Sequence, residues 1–329
     1  MDWELFRDIL SIDSTSGKER ALSEFLAARL LAPALERQEV GDGTENLFLK
    51  WGTPRVVFCS HMDTVPPYIP PTFGDGIVRG RGTCDAKGQI FALYTACRRL
   101  AEAGCRDFGL LLVSGEETGS WGAKAFARTP FRAPYLIIGE PTENKMVTAS
   151  KGTKSFDLVF TGKPFHSGYP AFGVSAVDLF VDFVERLRAV DFGEDPLLGA
   201  TTWNIGQLRS DNPQNILSPE ASCRLYFRTT FVSDEAVCAW MAEAPSLVPG
   251  LSVTPRGGDT PARYWTAEGI PSGPASFGSD APHLVNFTHR AICGPGTIRV
   301  AHRPDEHICV EDLEKAVEQY MAIYRQITA

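Results

Sequence analysis

Two adjacent carboxylates, Glu116 and Glu117, follow the apolar run Leu110–Val113 in the middle of the chain. A short apolar run that stops at polar residues and glycine predicts a buried strand of a parallel sheet, and such sheets bind ligands at the carboxyl ends of their strands. Successive side chains of an extended backbone point to opposite sides, so we expect one acid to bind a metal ion and the other to transfer protons. The alternative is a solvated turn with two surface acids, which is the commoner arrangement for an isolated Glu-Glu pair.

Four more possible metal ligands lie at the ends of apolar runs or in glycine-rich loops: His61, Asp85, Glu140 and His302. His61 directly follows Val56–Ser60, and Glu140 follows Leu136–Ile138. Two imidazoles and three carboxylates suit a hydrolytic zinc or cobalt site, and a pair of ions needs one bridging carboxylate. Without a metal, so many acids in one place would repel one another. Asp63, two residues after His61, is placed to orient that imidazole.

Other kinds of chemistry fit these segments less well. The stretch from Ser60 to Asp63 contains Ser, His and Asp, but members of a serine triad meet in space rather than in sequence, and the chain has no Gly-x-Ser-x-Gly. The pair Gly80 and Gly82 lacks the third glycine of a dinucleotide loop. Cys84 lies beside Asp85, but a thiolate would not match a site rich in oxygen and nitrogen. No motif supports a role for the remaining histidines, His283, His289 and His307.

The composition limits the classes of partner. With 32 basic and 40 acidic residues among 329, the formal net charge is −8, so we expect neither nucleic acid nor an anionic membrane surface as a partner. A small molecule is the more suitable partner for a chain of this charge. No segment approaches the roughly 20 apolar residues of a membrane span, and acids near Met1 are unlike a secretory signal. The eight scattered cysteines indicate buried, reduced thiols, and we therefore expect a cytoplasmic protein.

Apolar periodicity predicts the elements that position these residues. The predicted helices lie at Trp3–Leu10, Leu22–Leu31, Ile90–Leu100, Trp121–Arg128, Val174–Val190, after Ser233 and at Glu311–Ile327, and the predicted strands at Asn46–Trp51, Arg55–Ser60, Leu110–Val113, Tyr135–Ile138, Ser155–Phe160, Thr201–Leu208, Ala221–Thr230, Leu251–Thr254 and Ala291–Cys293. Strands in the middle of the chain alternate, whereas the others are apolar throughout. This predicts an α/β domain with a largely parallel sheet, built from residues 1–152 and 262–329, and an inserted α+β domain of residues 153–261. Between Pro66 and Lys87 we expect about twenty irregular residues, a length that usually indicates function.

Five ordered motifs of the chain resemble those of the co-catalytic dinuclear zinc aminoacylase/carboxypeptidase family. They are His61-Met62-Asp63-Thr64-Val65-Pro66, Gly80-Arg81-Gly82-Thr83-Cys84-Asp85-Ala86-Lys87-Gly88, Gly115-Glu116-Glu117, Gly139-Glu140-Pro141-Thr142 and Ala301-His302-Arg303-Pro304-Asp305-Glu306. This family includes acetylornithine deacetylases, succinyl-diaminopimelate desuccinylases and glutamate carboxypeptidases. The wording around Asp85 and His302 is most similar to that of acetylornithine deacetylases, which implies a part in arginine biosynthesis.

The resemblance implies a role for each matching residue. His61, Asp85 and Glu140 would hold one metal ion, and Asp85, Glu117 and His302 the other, with Asp85 as the bridge. Zn²⁺ is the expected ion and Co²⁺ the alternative. Glu116 would be the general base, which deprotonates the bridging water and then protonates the leaving amine. Two cations and an adjacent carboxylate agree with that chemistry.

The resemblance also implies that the insert is a lid through which two copies form a homodimer. His166, in Gly162-Lys163-Pro164-Phe165-His166-Ser167, matches the histidine that stabilises the oxyanion in the active site of the other subunit. Matches to positions that contact the carboxylate end of the substrate, or to a hinge, occur at Arg228, Asn215, Gly278, Ser279 and Lys151. Arg228 suits carboxylate recognition because a guanidinium binds a carboxylate through two hydrogen bonds.

The sequence therefore predicts a zinc-exopeptidase-like enzyme that removes an acetyl or succinyl group from an amino acid such as ornithine or citrulline. A dipeptidase, a carboxypeptidase or an acyl-lysine hydrolase of the same family is the alternative enzyme. A metal-binding interaction protein without catalysis is the alternative from another class. The presence of Glu116 beside a complete set of ligand candidates favours the enzymes.

Overall fold

The computed structural model describes residues 1–329. The helices are α1 (Trp3–Ser11), α2 (Arg20–Arg29), α3 (Lys87–Glu102), α4 (Trp121–Ala127), α5 (Ala176–Ala189), α6 (Asp234–Leu247) and α7 (Val310–Thr328), with a 3₁₀ turn at Pro170–Phe172. The strands are β1 (Ala34–Gly41), β2 (Thr44–Trp51), β3 (Val56–His61), β4 (Thr72–Gly74), β5 (Ile77–Arg79), β6 (Phe108–Val113), β7 (Ala133–Ile138), β8 (Met146–Ser150), β9 (Gly152–Thr161), β10 (Glu194–Asp195), β11 (Gly199–Ala200), β12 (Thr202–Arg209), β13 (Glu220–Thr229), β14 (Leu251–Gly257), β15 (Ala262–Arg263), β16 (Ser272–Ala275), β17 (Phe287–Ile292) and β18 (His307–Cys309).

The chain forms two compact units. The first contains Met1–Thr148, Tyr264–Gly273 and Ser279–Ala329, and the second contains Ala149–Arg263 and Pro274–Gly278. The role of the inserted segment as a lid and dimerisation domain stays a prediction.

A six-stranded sheet in the order β1-β2-β6-β3-β7-β17 forms the centre of the first unit. Strand β3 runs parallel to β6 and β7, and β17 runs parallel to β7, whereas β1, β2 and β6 pair in antiparallel fashion. Every residue of β3 and β6 is buried, as expected for strands covered on both faces. The predicted α/β fold with a largely parallel sheet is therefore confirmed, and the carboxyl ends of β3, β6 and β7 meet at one edge.

Aromatic and aliphatic side chains pack α1, α3 and α7 in the core of the first unit. Phe6 of α1 stacks on Phe91 of α3 with the ring centroids 4.5 Å apart, and both rings are fully buried. Asp2 begins α1 by accepting a hydrogen bond from the Leu5 amide at 3.0 Å, which satisfies one free donor of the first turn. None of the helices is long and apolar enough to cross a membrane.

The second unit contains an antiparallel sheet in the order β12-β13-β9-β14. Alternate residues of β9 and β13 are buried, and they form a separate core with residues of α5 and α6, such as Phe183 and Met241. Alternation of this kind is what a sheet with one covered face requires. The predicted α+β character of this segment agrees with the structure.

Two local expectations were wrong. Strand β1 was not predicted, because three of its eight residues are charged, most are exposed, and the strand has no apolar period. The stretch between Pro66 and Lys87 is not irregular throughout, because β4 and β5 pair there as a hairpin. Asp75 and Gly76 join these strands with positive φ values of 53° and 71°, a conformation that suits a two-residue hairpin turn.

Candidate metal centre

The predicted metal ligands meet at the carboxyl edge of the sheet in the first unit. His61 is the last residue of β3 and lies opposite Val113, the last residue of β6. The turn that carries Glu116 and Glu117 follows β6, and Glu140 lies two residues beyond the end of β7. The parallel register therefore brings ligand candidates that are distant in sequence to one place.

Asp85 lies between the two histidines. Its Oδ1 is 3.1 Å from His61 Nε2 and its Oδ2 is 3.3 Å from His302 Nε2. His302 Nε2 also lies 2.8 Å from Glu117 Oε1. Within each of two groups, His61–Asp85–Glu140 and Asp85–Glu117–His302, the donor atoms lie within 4.8 Å of one another. The shared Asp85, with one oxygen facing each imidazole, has the arrangement that a bridging carboxylate needs.

The acids and imidazoles strongly perturb one another. Hydrogen bonds to Asp85 and Glu117 raise the pKa of His302 to about 10. Burial opposes ionisation of Asp85, but its hydrogen bonds to His302 and His61 outweigh burial and lower its pKa. Burial and the surrounding acids raise the pKa of Glu116 and of Glu140 well above the ordinary value. Several carboxylates in a partly dry site thus disfavour one another's charged forms.

The residues fit a pair of divalent cations. His61, Asp85 and Glu140 are each at most 6% exposed, and their donors are the nitrogen and oxygen atoms that zinc and cobalt accept. Positive ions among these acids would offset the repulsion that raises their pKa values. A third group of close donors, His61, Glu116 and Glu117, adjoins the first two, so Glu116 lies beside the candidate ligands.

The turn Gly115–Gly119, which we call the acidic turn, differs from the extended backbone that the sequence analysis assumed. The Glu116 carbonyl accepts hydrogen bonds from the amides of Gly119 and Ser120, and Gly115 has a φ of 70°. The argument from opposite faces of a strand was therefore wrong. The two acids nevertheless have different surroundings, since Glu117 contacts His302 and the carboxylate of Glu116 makes no hydrogen bond to a protein group.

Asp63 connects β3 to the acidic turn. Its carboxylate accepts hydrogen bonds from the amides of Glu116 and Glu117 at 3.0 and 3.1 Å. His61 Nδ1 lies 2.9 Å from the Asp63 carbonyl oxygen and 3.3 Å from its carboxylate. Asp63 thus contacts the imidazole, as predicted, and it also fixes the backbone of the two glutamates, which its spacing from His61 did not indicate.

A buried ion pair between Arg81 and Glu306 holds the backbone at Asp85. Glu306 accepts hydrogen bonds from the amides of Cys84 and Asp85 at 3.0 and 3.1 Å, and its other oxygen pairs with Arg81 at 2.5 Å. Arg81 also donates to the carbonyl of Arg303 at 3.3 Å, next to His302. Glu306 and Arg81 belong to the quoted motifs, but no role was predicted for them, because most of their hydrogen-bond partners are backbone groups.

Sequence reasoning also missed Asp280, which is 2% exposed. Its Oδ1 has no hydrogen-bond partner, and burial raises its pKa to about 6 against the effect of His61. The nearby Ser120 side chain, directly after the acidic turn, partly offsets this rise in pKa. The position of Asp280 directly after the candidate Ser279 was the only signal in the sequence.

The other predicted site residues lie mainly in the second unit: Lys151, His166, Asn215, Arg228 and Gly278. Ser279 belongs to the first unit, where its hydroxyl accepts a hydrogen bond from the Ala281 amide. His166 is exposed, and the next residue, Ser167, donates to the carbonyl of Asn215. The second unit thus brings His166 and Asn215 near each other. Their roles stay predictions.

The residues judged to have no catalytic role lie outside the candidate metal groups. The Cys84 thiol is buried and donates to the Thr297 carbonyl, and burial raises its pKa well above the ordinary value. His289 stacks on Tyr135, and His307 contacts the Asp305 carbonyl. All eight cysteines are free thiols, of which five are buried as expected, whereas Cys105 and Cys309 are partly exposed and Cys238 is exposed.

Comparison with known proteins identifies the family to which this site is similar. The sequence profile of peptidase family M20/M25/M40 matches residues 57–326. A probable carboxypeptidase of Aspergillus clavatus is 31% identical over 96% of this chain and 86% of its own length. A peptidase M20 domain-containing protein of Schizosaccharomyces pombe is also 31% identical, over 96% of this chain and 82% of its own.

Solved structures show the same fold. A tripeptidase from Staphylococcus aureus superposes with a TM-score of 0.84 at 20% identity, covering 98% of this chain and 96% of that one. An M20 family metallo-carboxypeptidase from Sulfolobus solfataricus gives a TM-score of 0.79 at 17% identity, with 99% of both chains covered. The family match and the names of the Aspergillus and Schizosaccharomyces relatives lend no support to the predicted acetylornithine deacetylase or to a part in arginine biosynthesis, and they agree better with the peptidase alternative.

Proposed function

Since the chain belongs to peptidase family M20/M25/M40, we propose that it is a two-metal hydrolase that cleaves short peptides next to a free C-terminal carboxylate. The observation that carries the proposal is Asp85, which belongs to both groups of close donors and faces a different imidazole with each oxygen. A single structural ion needs no such bridge, whereas two ions 3.5–4 Å apart, as hydrolases use them, do.

In the proposed mechanism, His61 and Glu140 would hold one ion, Glu117 and His302 would hold the other, and Asp85 would be a ligand of both. Zn²⁺ is the proposed ion, with Co²⁺ as the alternative, and such ions polarise the scissile carbonyl and lower the pKa of water. Glu116 accepts the proton of the attacking water and delivers it to the leaving amine. Its place beside the candidate ligands and its lack of a hydrogen-bond partner suit a group that must hold and release a proton. Asp63 keeps Glu116 in place through the backbone.

Two cations of the second unit support a substrate with a carboxylate. Lys151 is 7% exposed and donates only to the Ala200 carbonyl, while burial and the nearby Arg228 lower its pKa. Arg228 has no acidic partner, and its guanidinium lies over the Tyr226 ring. It also faces Gly278, and a Cβ atom placed on that glycine would lie 3.8 Å from Nη1 of Arg228. Unpaired cations in a partly buried place favour binding of an anion, and a guanidinium suits a carboxylate.

We expect Arg228→Ala to raise KM for a dipeptide about 10- to 100-fold, because a charge-assisted pair contributes about 1.5–3 kcal/mol. The same variant should leave KM for the corresponding C-terminal peptide amide almost unchanged. Steady-state kinetics on the acid and amide forms of one peptide measure both effects. Arg256→Ala, which removes an exposed arginine of the same unit that pairs with Asp157, is the control. Equal losses on acid and amide would contradict carboxylate recognition by Arg228.

The proposed activity is tested on a panel of dipeptides, tripeptides, N-acetyl and N-succinyl amino acids and acyl-lysines, after reconstitution with Zn²⁺ or Co²⁺. We expect hydrolysis of short peptides that a chelator abolishes and metal restores. Turnover confined to acylated ornithine or citrulline would favour the deacylase instead. Hydrolysis that is insensitive to chelation would refute the two-metal mechanism.

We further propose that the second unit forms a homodimer. Its exposed apolar side chains include Phe165, Tyr169, Phe172, Val174, Val177, Val181, Leu208 and Ile216. Strand β12 is an outer strand of the sheet, so its free backbone groups can pair with a second copy. The amide of Gly168 donates to Nδ1 of His166, which leaves Nε2 to carry the proton and to stabilise an oxyanion in the site of the other copy.

Replacing Val177 and Val181 together by aspartate is expected to convert a dimer into a monomer. Both valines are exposed on α5, by 39% and 45%, and buried charges oppose association. Sedimentation velocity measures the change in mass. Leu31→Asp, at a 68% exposed position of the first unit, should leave the mass unchanged. A wild-type chain that sediments as a monomer would rule out the proposed dimer.

A further inference from the structure

Gln89 is a fully buried polar side chain in the first turn of α3. Its Nε2 donates two hydrogen bonds, one to the carbonyl of Cys84 and one to the carbonyl of Pro295, each at 2.8 Å. Carbonyl oxygens only accept, so these bonds use both hydrogens of the side-chain amide. The side chain therefore joins two segments that are distant in sequence.

Both of these segments lead to candidate metal ligands. Cys84 directly precedes Asp85, the residue shared by the two candidate metal groups. Pro295 belongs to the segment that continues to His302. Because Asp85 and His302 have donor atoms in the same group, the two segments must lie at a fixed distance for these atoms to meet.

The loop that follows Glu140 is attached at the same place. The amides of Glu143 and Asn144 donate, at 2.7 and 2.8 Å, to the carbonyls of the two residues that flank Pro295. The residue that accepts from Gln89 is thus the centre of a short segment that also holds the chain after Glu140. A change in the position of this segment would be transmitted to the loops of several ligands.

Two glycines leave the space that the Gln89 side chain occupies. A Cβ atom placed on Gly294 would collide with Oε1 of Gln89, and one placed on Gly139 would lie 3.1 Å from Cβ of Gln89. Gly139 directly precedes Glu140. The backbones on both sides therefore approach this side chain more closely than any larger residue would allow.

The burial of Gln89 is unfavourable by itself. Its Oε1 has no hydrogen-bond partner, and a buried polar atom without a partner is destabilising. A glutamine at the third position of a helix often reaches back to the backbone amide that precedes the helix, but α3 has no side-chain cap. Departures from local rules concentrate at functional sites, and what accompanies this one is the double donation to the two carbonyls.

We propose that Gln89 is a positioning residue of the metal centre: by donating to the carbonyls of Cys84 and Pro295, it fixes the loop that carries Asp85 against the segment that carries His302. The two oxygens of Asp85 face imidazoles from different segments, so a bridge between two ions depends on this distance. The meaning for metal binding rests on the proposed function, whereas the link between the segments does not.

The link is tested in the full chain before metal is added. Gln89→Met keeps an unbranched side chain of similar size without a donor, and Gln89→Glu keeps the shape with at most one donor hydrogen. Hydrogen–deuterium exchange is followed in the peptide of residues 141–146, whose amides bond to the segment around Pro295. We expect both variants to exchange at least about tenfold faster there, since loss of hydrogen bonds that leaves buried carbonyls unpaired has effects of this order.

Cys97→Ala is the matched control, because Cys97 is fully buried on the same helix, about two turns further along. It removes buried volume without touching the two carbonyls, and its exchange in the same peptide should stay within about threefold of the unaltered chain. Unchanged exchange in both Gln89 variants, or the same acceleration in Cys97→Ala, would overturn the inference. Failure of both Gln89 variants to fold would assign the residue to the general core and would overturn it as well.

A second measurement follows the binding of Co²⁺ through its visible absorption, which reports the affinity and the coordination geometry of the ions. We expect Kd for Co²⁺ to rise about 10- to 100-fold in both Gln89 variants, the range for groups that orient metal ligands through hydrogen bonds, and the spectrum to change. Cys97→Ala should alter neither quantity, even if it lowers Tm. A merely structural role of Gln89 would likewise lower Tm and leave the spectrum unchanged.

The two measurements separate this inference from the proposed function. Faster exchange with an unaltered Co²⁺ affinity and spectrum would show that Gln89 joins the segments but would overturn its role for the metal centre. If the unaltered chain binds no Co²⁺, the proposed function fails, and the exchange measurement still decides whether Gln89 holds the two segments together.

Discussion

Replacement of Glu116 by glutamine should lower kcat about 10²- to 10⁴-fold, the range for loss of a general acid–base group, while both metal ions should stay bound. Glutamine has nearly the same shape and cannot accept the proton of water. The carboxylate of Glu116 belongs to neither group that contains Asp85, so its removal leaves the proposed ligands in place. Steady-state kinetics together with metal analysis of the dialysed protein measure the two quantities.

Glu102→Gln is the control for this substitution, because Glu102 lies at the end of α3 and pairs with Arg98 at the surface. It should have full activity. Retained hydrolysis in Glu116→Gln would assign the proton transfer to another group. A loss of metal equal to the loss of activity would instead identify Glu116 as a ligand.

We expect the second large loss of activity from Asp85→Asn, because Asp85 belongs to both candidate metal groups. The amide is neutral and has a single acceptor oxygen, so it cannot face both imidazoles as a ligand. We expect the variant to bind fewer than two ions even at high metal concentration and to lose activity by at least about 10³-fold, since both the water and the carbonyl lose their activation. Isothermal titration with Zn²⁺ gives the stoichiometry.

Comparison of Asp85→Asn with His302→Ala tests whether Asp85 bridges the two ions. His302 belongs only to the group with Asp85 and Glu117 and is half exposed. Its loss should remove one ion and leave the site of His61 and Glu140 filled. If Asp85→Asn and His302→Ala lost the same single ion, Asp85 would not be a bridge.

The convergence of some ligand candidates at one edge of the sheet could be predicted, because their position follows from one rule. Apolar runs marked the parallel strands, and parallel strands end at one edge, so His61 and Glu140 were expected near Glu117. Asp85 and His302 are different, because they lie in loops whose place depends on contacts across the chain. Their grouping came from the resemblance and from their residue types.

Residues that act through the backbone were not predictable in the same way. Glu306 and Asp280 are buried acids that no motif spacing marked, and the partners of Glu306 include the main-chain amides of Cys84 and Asp85. A main-chain amide has no residue type, so no spacing indicates which acid will reach it. The acidic turn illustrates the same limit, since Gly115 allowed a bend that strand periodicity could not reveal.

Specificity was the least predictable property. The five motifs contain the candidate metal ligands. These residues would be needed to hydrolyse any amide that the ions activate. The proposed contacts to the rest of a substrate are Lys151, which lies between β8 and β9, and Arg228 of β13. Alternation in these strands of the second unit fixes the fold but not the ligand. The expectation of an acetylated substrate therefore rested on motif wording alone.

The join between Arg81 and Glu306 has a consequence for synthesis of the protein. When translation has reached Gly250, the nascent chain contains His61, Asp85, Glu116, Glu117 and Glu140, but neither His302 nor Glu306, the partner of Arg81. Strand β17 and helix α7 are also still missing at that stage. The candidate metal centre therefore stays incomplete in the nascent chain until the segment with His302 and Glu306 has been made.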